Sequence, residues 1–167
     1  MTIYLQPIGQ IDQDVLDFLN RRISALCGVE QNEPIGVPAS ACDPARKQYS
    51  GSALLSAIPD MDQPVLGITG VDIYADGLNY IFGIASGNKA LISLKRLNPE
   101  YYGQESDEDL LKVRALKEAM HELGHVFGLA HCPDKGCVMH FSNSIIDTDI
   151  KDWRYCGWCD GMAKVSA

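Results

Sequence analysis

The stretch that most constrains this chain runs His121-Glu122-Leu123-Gly124-His125-Val126-Phe127-Gly128-Leu129-Ala130-His131. Residues four apart on a helix share a face, one turn from each other, so His121 and His125 can point two imidazoles at one ion. Glu122 stands beside the first of them, able to reach a metal's water but placed to miss the metal itself. Gly128 permits the positive φ that ends a helix and turns the chain sharply, which can return His131 as a third ligand. Three protein ligands and one open position describe a catalytic zinc, not a structural one. A bare HExxH occurs by chance in unrelated proteins. Its extension by a glycine and a third histidine at these spacings is a much stronger signal. Each histidine alone reads as an ordinary core residue; three in register with a glutamate do not.

A second set follows at once. Four residues separate Cys132 from Cys137, and Cys156 and Cys159 form a CxxC pair. Two such pairs suit a tetrahedral structural zinc. Successive side chains on extended backbone point to opposite sides, so His131 can face one ion and Cys132 another. The chemistry asks for that split, because four thiolates close a zinc off while a catalytic metal needs a free position. Two disulfides, or four unrelated thiols, are the alternatives at this point. Cys27 reads as a small buried hydrophobe and Cys42, without a partner at ligand spacing, as a free thiol.

Composition narrows the setting. A chain of 167 residues suits one domain with a sizeable core. A hydrophobic content of 46% with 22% charged residues marks an ordinary globular chain. The net charge of -8 and the absence of a basic stripe argue against a nucleic-acid partner; solubility is the plainer use of the acidity. No apolar run approaches the ~20 residues of a bilayer span, so no membrane partner is expected. Met1 to Pro7 has neither a charged n-region nor a long h-region, so no signal peptide is read and a cytoplasmic setting is expected. There, cysteines serve as metal ligands or free thiols more often than as disulfides. A monomer is expected.

Periodicity predicts a strand over Ile3–Ile8, then a helix over Asp12–Leu26 with Val15, Leu16, Leu19, Ile23 and Leu26 as its stripe and Gly28 closing it. A second strand is expected within Glu33–Pro38, a loop over Ala39–Ser52 and a short helix over Ser52–Ile58. Strands are expected over Val65–Ala75, Asn79–Ala85 and Ala90–Leu94, the turns Asp76-Gly77 and Ser86-Gly87-Asn88 making hairpins of them. After a polar loop, a capping box over Ser106–Asp109 opens the helix that carries the histidines. Val113, Leu116, Met120, Leu123 and Phe127 form its expected buried face.

The run HELGHVFGLAHCPDKGCVM, with CGWC downstream, resembles the archaemetzincins, zinc-dependent peptidases of the metzincin clan. The match covers a small part of the chain and is specific because the cysteines interleave with the histidine motif. It implies an α/β (α+β), metzincin-like fold: a mixed twisted sheet with an antiparallel edge strand, a long active-site helix, and a smaller C-terminal subdomain after the third histidine. The single domain 1–167 would divide into 1–128 and 129–167. The resemblance implies two zinc ions per chain, a catalytic one on His121, His125 and His131 and a structural one on Cys132, Cys137, Cys156 and Cys159. Glu122 would be the general base, and Met139, otherwise just a core methionine, the Met-turn residue under the catalytic zinc. A peptide substrate would lie along the Asn79–Ala85 strand. Some clan members place a tyrosine two residues after that methionine. Phe141 stands here, so zinc would carry most of the oxyanion stabilisation, and neighbouring His140 reads as solvent-facing. Aminopeptidase action stays open, with no residue matched to an amine-binding site.

Two other classes compete. A zinc-stabilised binding or regulatory module could carry a latent peptidase site, yet such a module has no use for an intact Glu122. A redox dithiol could explain Cys156-Gly157-Trp158-Cys159, but that run lies in the C-terminal tail and not between an early strand and a long helix.

Overall fold

In the computed structural model, which describes residues 1–163, a five-stranded sheet separates two layers of helices. The last four residues of the expected C-terminal subdomain, 164–167, lie outside the described residues. The sheet is built from β1 (Thr2–Ile8), β2 (Gly28–Gln31), β5 (Val65–Thr69), β7 (Gly83–Ser86) and β8 (Lys89–Ser93), in the order β2-β1-β5-β8-β7. All neighbours are parallel except β7, which pairs antiparallel with β8 and forms one edge. This is the mixed α/β architecture with an antiparallel edge strand that the resemblance implies. β5 is buried along its whole length, as a central parallel strand covered on both faces must be.

The strands alternate their side chains between two cores. Ile3, Leu5, Leu66, Ile68, Ala90 and Ile92 pack against α1 (Gln13–Ile23) and the long α3 (Glu108–Val126). Ile8, Val65 and Leu91 face α2 (Gly51–Ala57), through Leu54 and Leu55, and Ile58 just beyond it. Outside α2 lies a small second sheet of β3 (Cys42–Asp43), β4 (Gln48–Ser50) and β6 (Ile73–Tyr74). Beyond α3, only two short helices, α4 (Ile145–Ile150) and α5 (Gly157–Met162), interrupt an irregular path to Ala163.

Several expectations shift, each for a tertiary reason. The first helix ends at Ile23, capped at Ser24, and Leu26 is half exposed. Gly28 opens β2 opposite Thr2 instead of closing the helix. The second strand therefore precedes the expected Glu33–Pro38 segment, from which only Ile35 bridges to Ile8. Pro7 stays within β1 because β2 pairs no further than Leu5, so its missing N–H costs no bond to β2. The expected loop over 39–52 instead holds a 3-10 turn at Ala39–Ala41, both β3 and β4, and the start of α2. The expected strand over 65–75 breaks after Thr69, and its end joins the second sheet as β6. The strand expected over 79–85 becomes regular only at Gly83. On α3 the cap is Asp107, one residue later than expected, accepting from the Leu110 N–H at 2.9 Å. Val113 is exposed, and Ala115 and Ala119 share the buried face with Leu116, Met120, Leu123 and Phe127.

Two candidate metal centres

The last two turns of α3 present His121 and His125 one above the other, with their Nε2 atoms 3.2 Å apart. Gly128, at φ +90°, makes the turn that a Cβ would oppose, and the Leu129 N–H closes it on the Gly124 carbonyl at 2.9 Å. His131 then returns, its ring 5.3 Å from that of His121 and 4.9 Å from that of His125. One nitrogen from each of the three lies within 4.8 Å of the others. A tetrahedral zinc with bonds of about 2.0–2.1 Å separates its nitrogens by about 3.3 Å, so this set fits the ion. The second ring nitrogens orient the first. His121 Nδ1 lies 2.8 Å from the Val138 carbonyl and His125 Nδ1 2.9 Å from the Leu129 carbonyl. Each Nδ1–H thus donates to backbone, leaving the Nε2 lone pair for metal. Burial, helped by the Lys151 ammonium, holds His121 down to about 3, so its imidazole is neutral as a ligand must be. Burial also lowers His131.

Glu122 is buried beside this set. Its side chain packs so tightly on β7 that a Cβ on Gly83 would lie 2.7 Å from its Cγ. Burial and the facing Glu118 carboxyl push Glu122 well above the ordinary carboxylate range. Glu118, one helical turn earlier, is also raised, by burial, and its Oε2 is buried without a hydrogen-bond partner among the described residues. Lys151 completes the cluster: its buried Nζ donates to the His140 carbonyl at 3.1 Å and sits 3.4 Å from His121 Nδ1. Sequence reasoning missed both residues. Glu118 had a readable signal, a carboxylate three residues before one candidate ligand and four before the candidate base. Lys151 had none, since its approach depends on the path of the chain after α3.

The four cysteines also converge. Cys132, Cys137, Cys156 and Cys159 bring their Sγ atoms within 4.8 Å of one another. Cys132 Sγ and Cys156 Sγ are 3.8 Å apart. Zinc–sulfur bonds of about 2.3 Å place tetrahedral thiolates about 3.8 Å apart, whereas a disulfide needs about 2.05 Å. All six cysteines are free thiols, Cys27 and Cys42 included. The backbone N–H groups of Met139 and Cys156 point at Cys137 Sγ from 3.4 and 3.3 Å, the support a thiolate would take. His131 and Cys132 face different centres, as their adjacency on extended chain suggests.

Met139 lies between the two sets, fully buried, with its thioether packed against Gly124 where any Cβ would overlap it. His140 does not face solvent as expected; it is half-buried, its Nδ1 2.8 Å from the Cys132 carbonyl. Phe141 is exposed and packs 5.1 Å from the His131 ring. The histidines, Glu118, Glu122 and Lys151 line a cleft of about 460 Å³ whose opposite wall is residues 78–85. The expected edge-strand segment therefore does flank the site, with β7 as its regular part.

The profile of peptidase family M54 matches residues 39–164. The archaemetzincin of Methanocaldococcus jannaschii is 50% identical over 162 residues, 95% of this chain and 90% of that one. The archaemetzincin of Pyrococcus furiosus is 52% identical over 171 residues, 94% of this chain and 89% of its own. A crystal structure of archaemetzincin from Archaeoglobus fulgidus, complexed with malonate, superimposes with a TM-score of 0.87 at 35% identity, covering 97% of this chain and 99% of that one. A zinc-dependent peptidase from Methanocorpusculum labreanum does so with a TM-score of 0.86 at 28% identity, over 96% and 98%.

Proposed function

We propose a residue-level mechanism for this chain, which belongs to peptidase family M54, the archaemetzincins, and is a zinc-dependent metallopeptidase acting on peptides. Its cofactors are two zinc ions, one catalytic and one structural. We assign the catalytic ion to His121, His125 and His131, and the structural ion to Cys132, Cys137, Cys156 and Cys159. The observation that carries the reading is the convergence of three imidazoles, two with Nε2 atoms 3.2 Å apart, beside a buried glutamate on a cleft.

When bound, the catalytic zinc supplies a Lewis acid and a water acidified to a pKa of roughly 7. Glu122 takes the proton of the attacking water on a carboxylate oxygen and returns it to the nitrogen of the leaving amine. The Val138 and Leu129 carbonyls hold His121 and His125 in the tautomer that keeps Nε2 free. The free rim of β7 pairs with the substrate backbone, which holds the scissile bond beside Glu122. Met139 floors the histidine set, in the Met-turn role. The chain works as one metallopeptidase domain whose C-terminal part begins after Gly128. Four cysteines used as metal ligands favour a reducing, cytoplasmic setting.

The test is zinc analysis together with a peptide-library digest read by mass spectrometry. The wild type should hold close to two zinc ions and cleave. Glu122→Gln keeps volume and zinc but cannot accept the proton, so cleavage should fall by about 10²–10⁴-fold. A zinc-replete Glu122→Gln variant cleaving near the wild-type rate rejects Glu122 as the base.

A further inference from the structure

The cleft has two walls from distant parts of the chain: residues 78–85, leading into and along β7, and residues 141–143, after Met139. Among the described residues, one hydrogen bond joins them: the Tyr80 hydroxyl donates to the Asn143 carbonyl at 3.2 Å. The Tyr80 ring is braced from behind. Phe82 meets it edge-on at 5.4 Å, and the Arg96 guanidinium lies 4.2 Å from its centroid. Arg96 is itself clamped to the Asp72 carboxylate by two 2.8 Å hydrogen bonds. Tyr80 is therefore a held side chain spanning the groove, not a loose surface ring.

Its position along the groove can be measured from the reacting centre. Gly83 is level with Glu122, since a Cβ there would lie 2.8 Å from Glu122 Oε1. β7 is the last strand of its sheet, with its second rim unpaired among the described residues and Gly83, Ile84 and Ala85 lining the cleft. An extended peptide that adds to this rim runs along the segment from Ser86 toward Tyr80. The three steps from Gly83 to Tyr80 reach at most about 10 Å. That length holds about three substrate residues at a strand's rise.

We propose that the Tyr80–Asn143 bridge is a stop across the cleft. It disfavours substrates with more than about three residues on that side of the scissile bond, so the enzyme prefers to cut near one terminus of a peptide. Tyr80 is then a specificity-determining residue, and the inference rests on the peptidase reading above. A longer segment must displace the bridge, at a penalty of about 2- to 10-fold, the net worth of one hydrogen bond.

The experiment gives zinc-loaded wild type, Tyr80→Phe and Tyr80→Ala a mixture of randomised short (about four residues) and long (about sixteen residues) peptides, with products read by mass spectrometry. Wild type should release fragments of about one to three residues from one and the same terminus about 2- to 10-fold faster than it cuts the interior of long peptides. Tyr80→Phe, which keeps the ring and deletes only the bridging hydroxyl, should raise the long-to-short rate ratio by about 2- to 10-fold and move cuts inward. Tyr80→Ala should raise it further if it folds. A binding measurement needs no turnover: in the Glu122→Gln background, Tyr80→Phe should raise retention of long peptides relative to short ones by the same factor. Interior cleavage of long peptides by wild type as fast as terminal cleavage, or a ratio unmoved by Tyr80→Phe in both assays, overturns the stop. If nothing is cleaved yet the binding ratio shifts, the peptidase reading fails and the stop stands.

Discussion

The two candidate centres touch in sequence, His131 beside Cys132, yet they are held by opposite means. Two of the histidines hang on a 19-residue helix packed into the larger core, and backbone carbonyls orient their rings; the third returns from the turn that follows it. Their burial grades outward, from buried His121 through half-buried His125 to exposed His131, as a site that admits substrate requires. The cysteines are three buried and one half-buried, joined by a segment with little regular structure. Over 129–163, the buried apolar side chains are Leu129, Cys132, Cys137, Val138, Met139, Cys159 and Ala163. Three of these seven are thiols, so the cysteines supply much of the surface by which this segment joins the larger core. The comparison teaches that metal in the first centre completes chemistry on a scaffold already standing. Metal in the second completes the scaffold.

The sharpest way to break that contrast is to remove each centre in turn. Cys156→Ser with Cys159→Ser should lose one zinc and bring the largest fall in stability. Structural zinc binding contributes about 10–16 kcal/mol of apparent free energy in small zinc modules. Polar docking of the segment onto α3 offsets part of this: Arg114 pairs with Asp149 through two 2.8 Å bonds, and Tyr155 donates to the Met120 carbonyl at 2.8 Å. Activity should go as well, because Cys132 anchors the chain beside His131. His125→Ala should also lose one zinc and all measurable cleavage, but only about 0.5–3 kcal/mol of stability. Zinc analysis with thermal unfolding reads both variants. Equal stability losses would mean the two centres are not divided in this way.

A smaller perturbation asks whether Met139 couples the centres. Its N–H points at Cys137 Sγ, its carbonyl accepts from the Cys132 N–H at 3.0 Å, and its thioether packs on Gly124 between the two helical histidines. Gly124→Ala inserts a Cβ into that thioether. Overpacking of this kind costs about 1–3 kcal/mol, with a fall in activity as the histidine floor shifts. Adding Met139→Ala should return part of the loss, since the second change vacates the space the first invades. Simple additivity of the two losses in urea unfolding would separate Met139 from Gly124.

How much of this was legible follows from the range of the interactions. His121, His125 and His131 are bound to one another by spacing within eleven residues, and the helix and its turn follow from local rules. The cysteine set was suggested by pair spacing, with disulfides as the alternative, and the convergence of the four Sγ atoms at ligand distances decides for metal. The buried run Val65–Thr69 and the hairpin into β8 were equally local. What sequence hid was set by distant partners. β2 begins at Gly28 because Thr2 is there to pair with it. Within 39–52, β3 and β4 pair with each other, and β6 from beyond the stretch lies alongside β4 to complete the small sheet. Val113 keeps the helical period yet is exposed. His140 is drawn inward by a carbonyl eight residues away.

Glu118 offers the finest test, because it lies on the histidine scaffold but in a charge cluster closed by Lys151 from the metal-built segment. Burial raises its carboxyl, and Lys151 and Glu122 oppose the shift without cancelling it. A carboxyl raised in the folded state keeps its proton where the unfolded chain has already released it. Between the unfolded value, about 4.3, and the higher folded one, the unfolded state binds fewer protons, so stability falls as pH rises. Below that window the group contributes no pH dependence, and above it the penalty is constant. Glu118→Gln removes the ionisation and keeps the volume. The zinc-loaded variant should therefore show a flatter stability curve than wild type across the window, the difference in slope not exceeding about 1.4 kcal/mol per pH unit for one proton. On the alkaline side it should stand level with wild type or above it. Urea unfolding at a series of pH values measures both curves. Parallel curves would mean that Lys151 neutralises Glu118 fully, and that the cluster is an ordinary buried ion pair tying the two regions together.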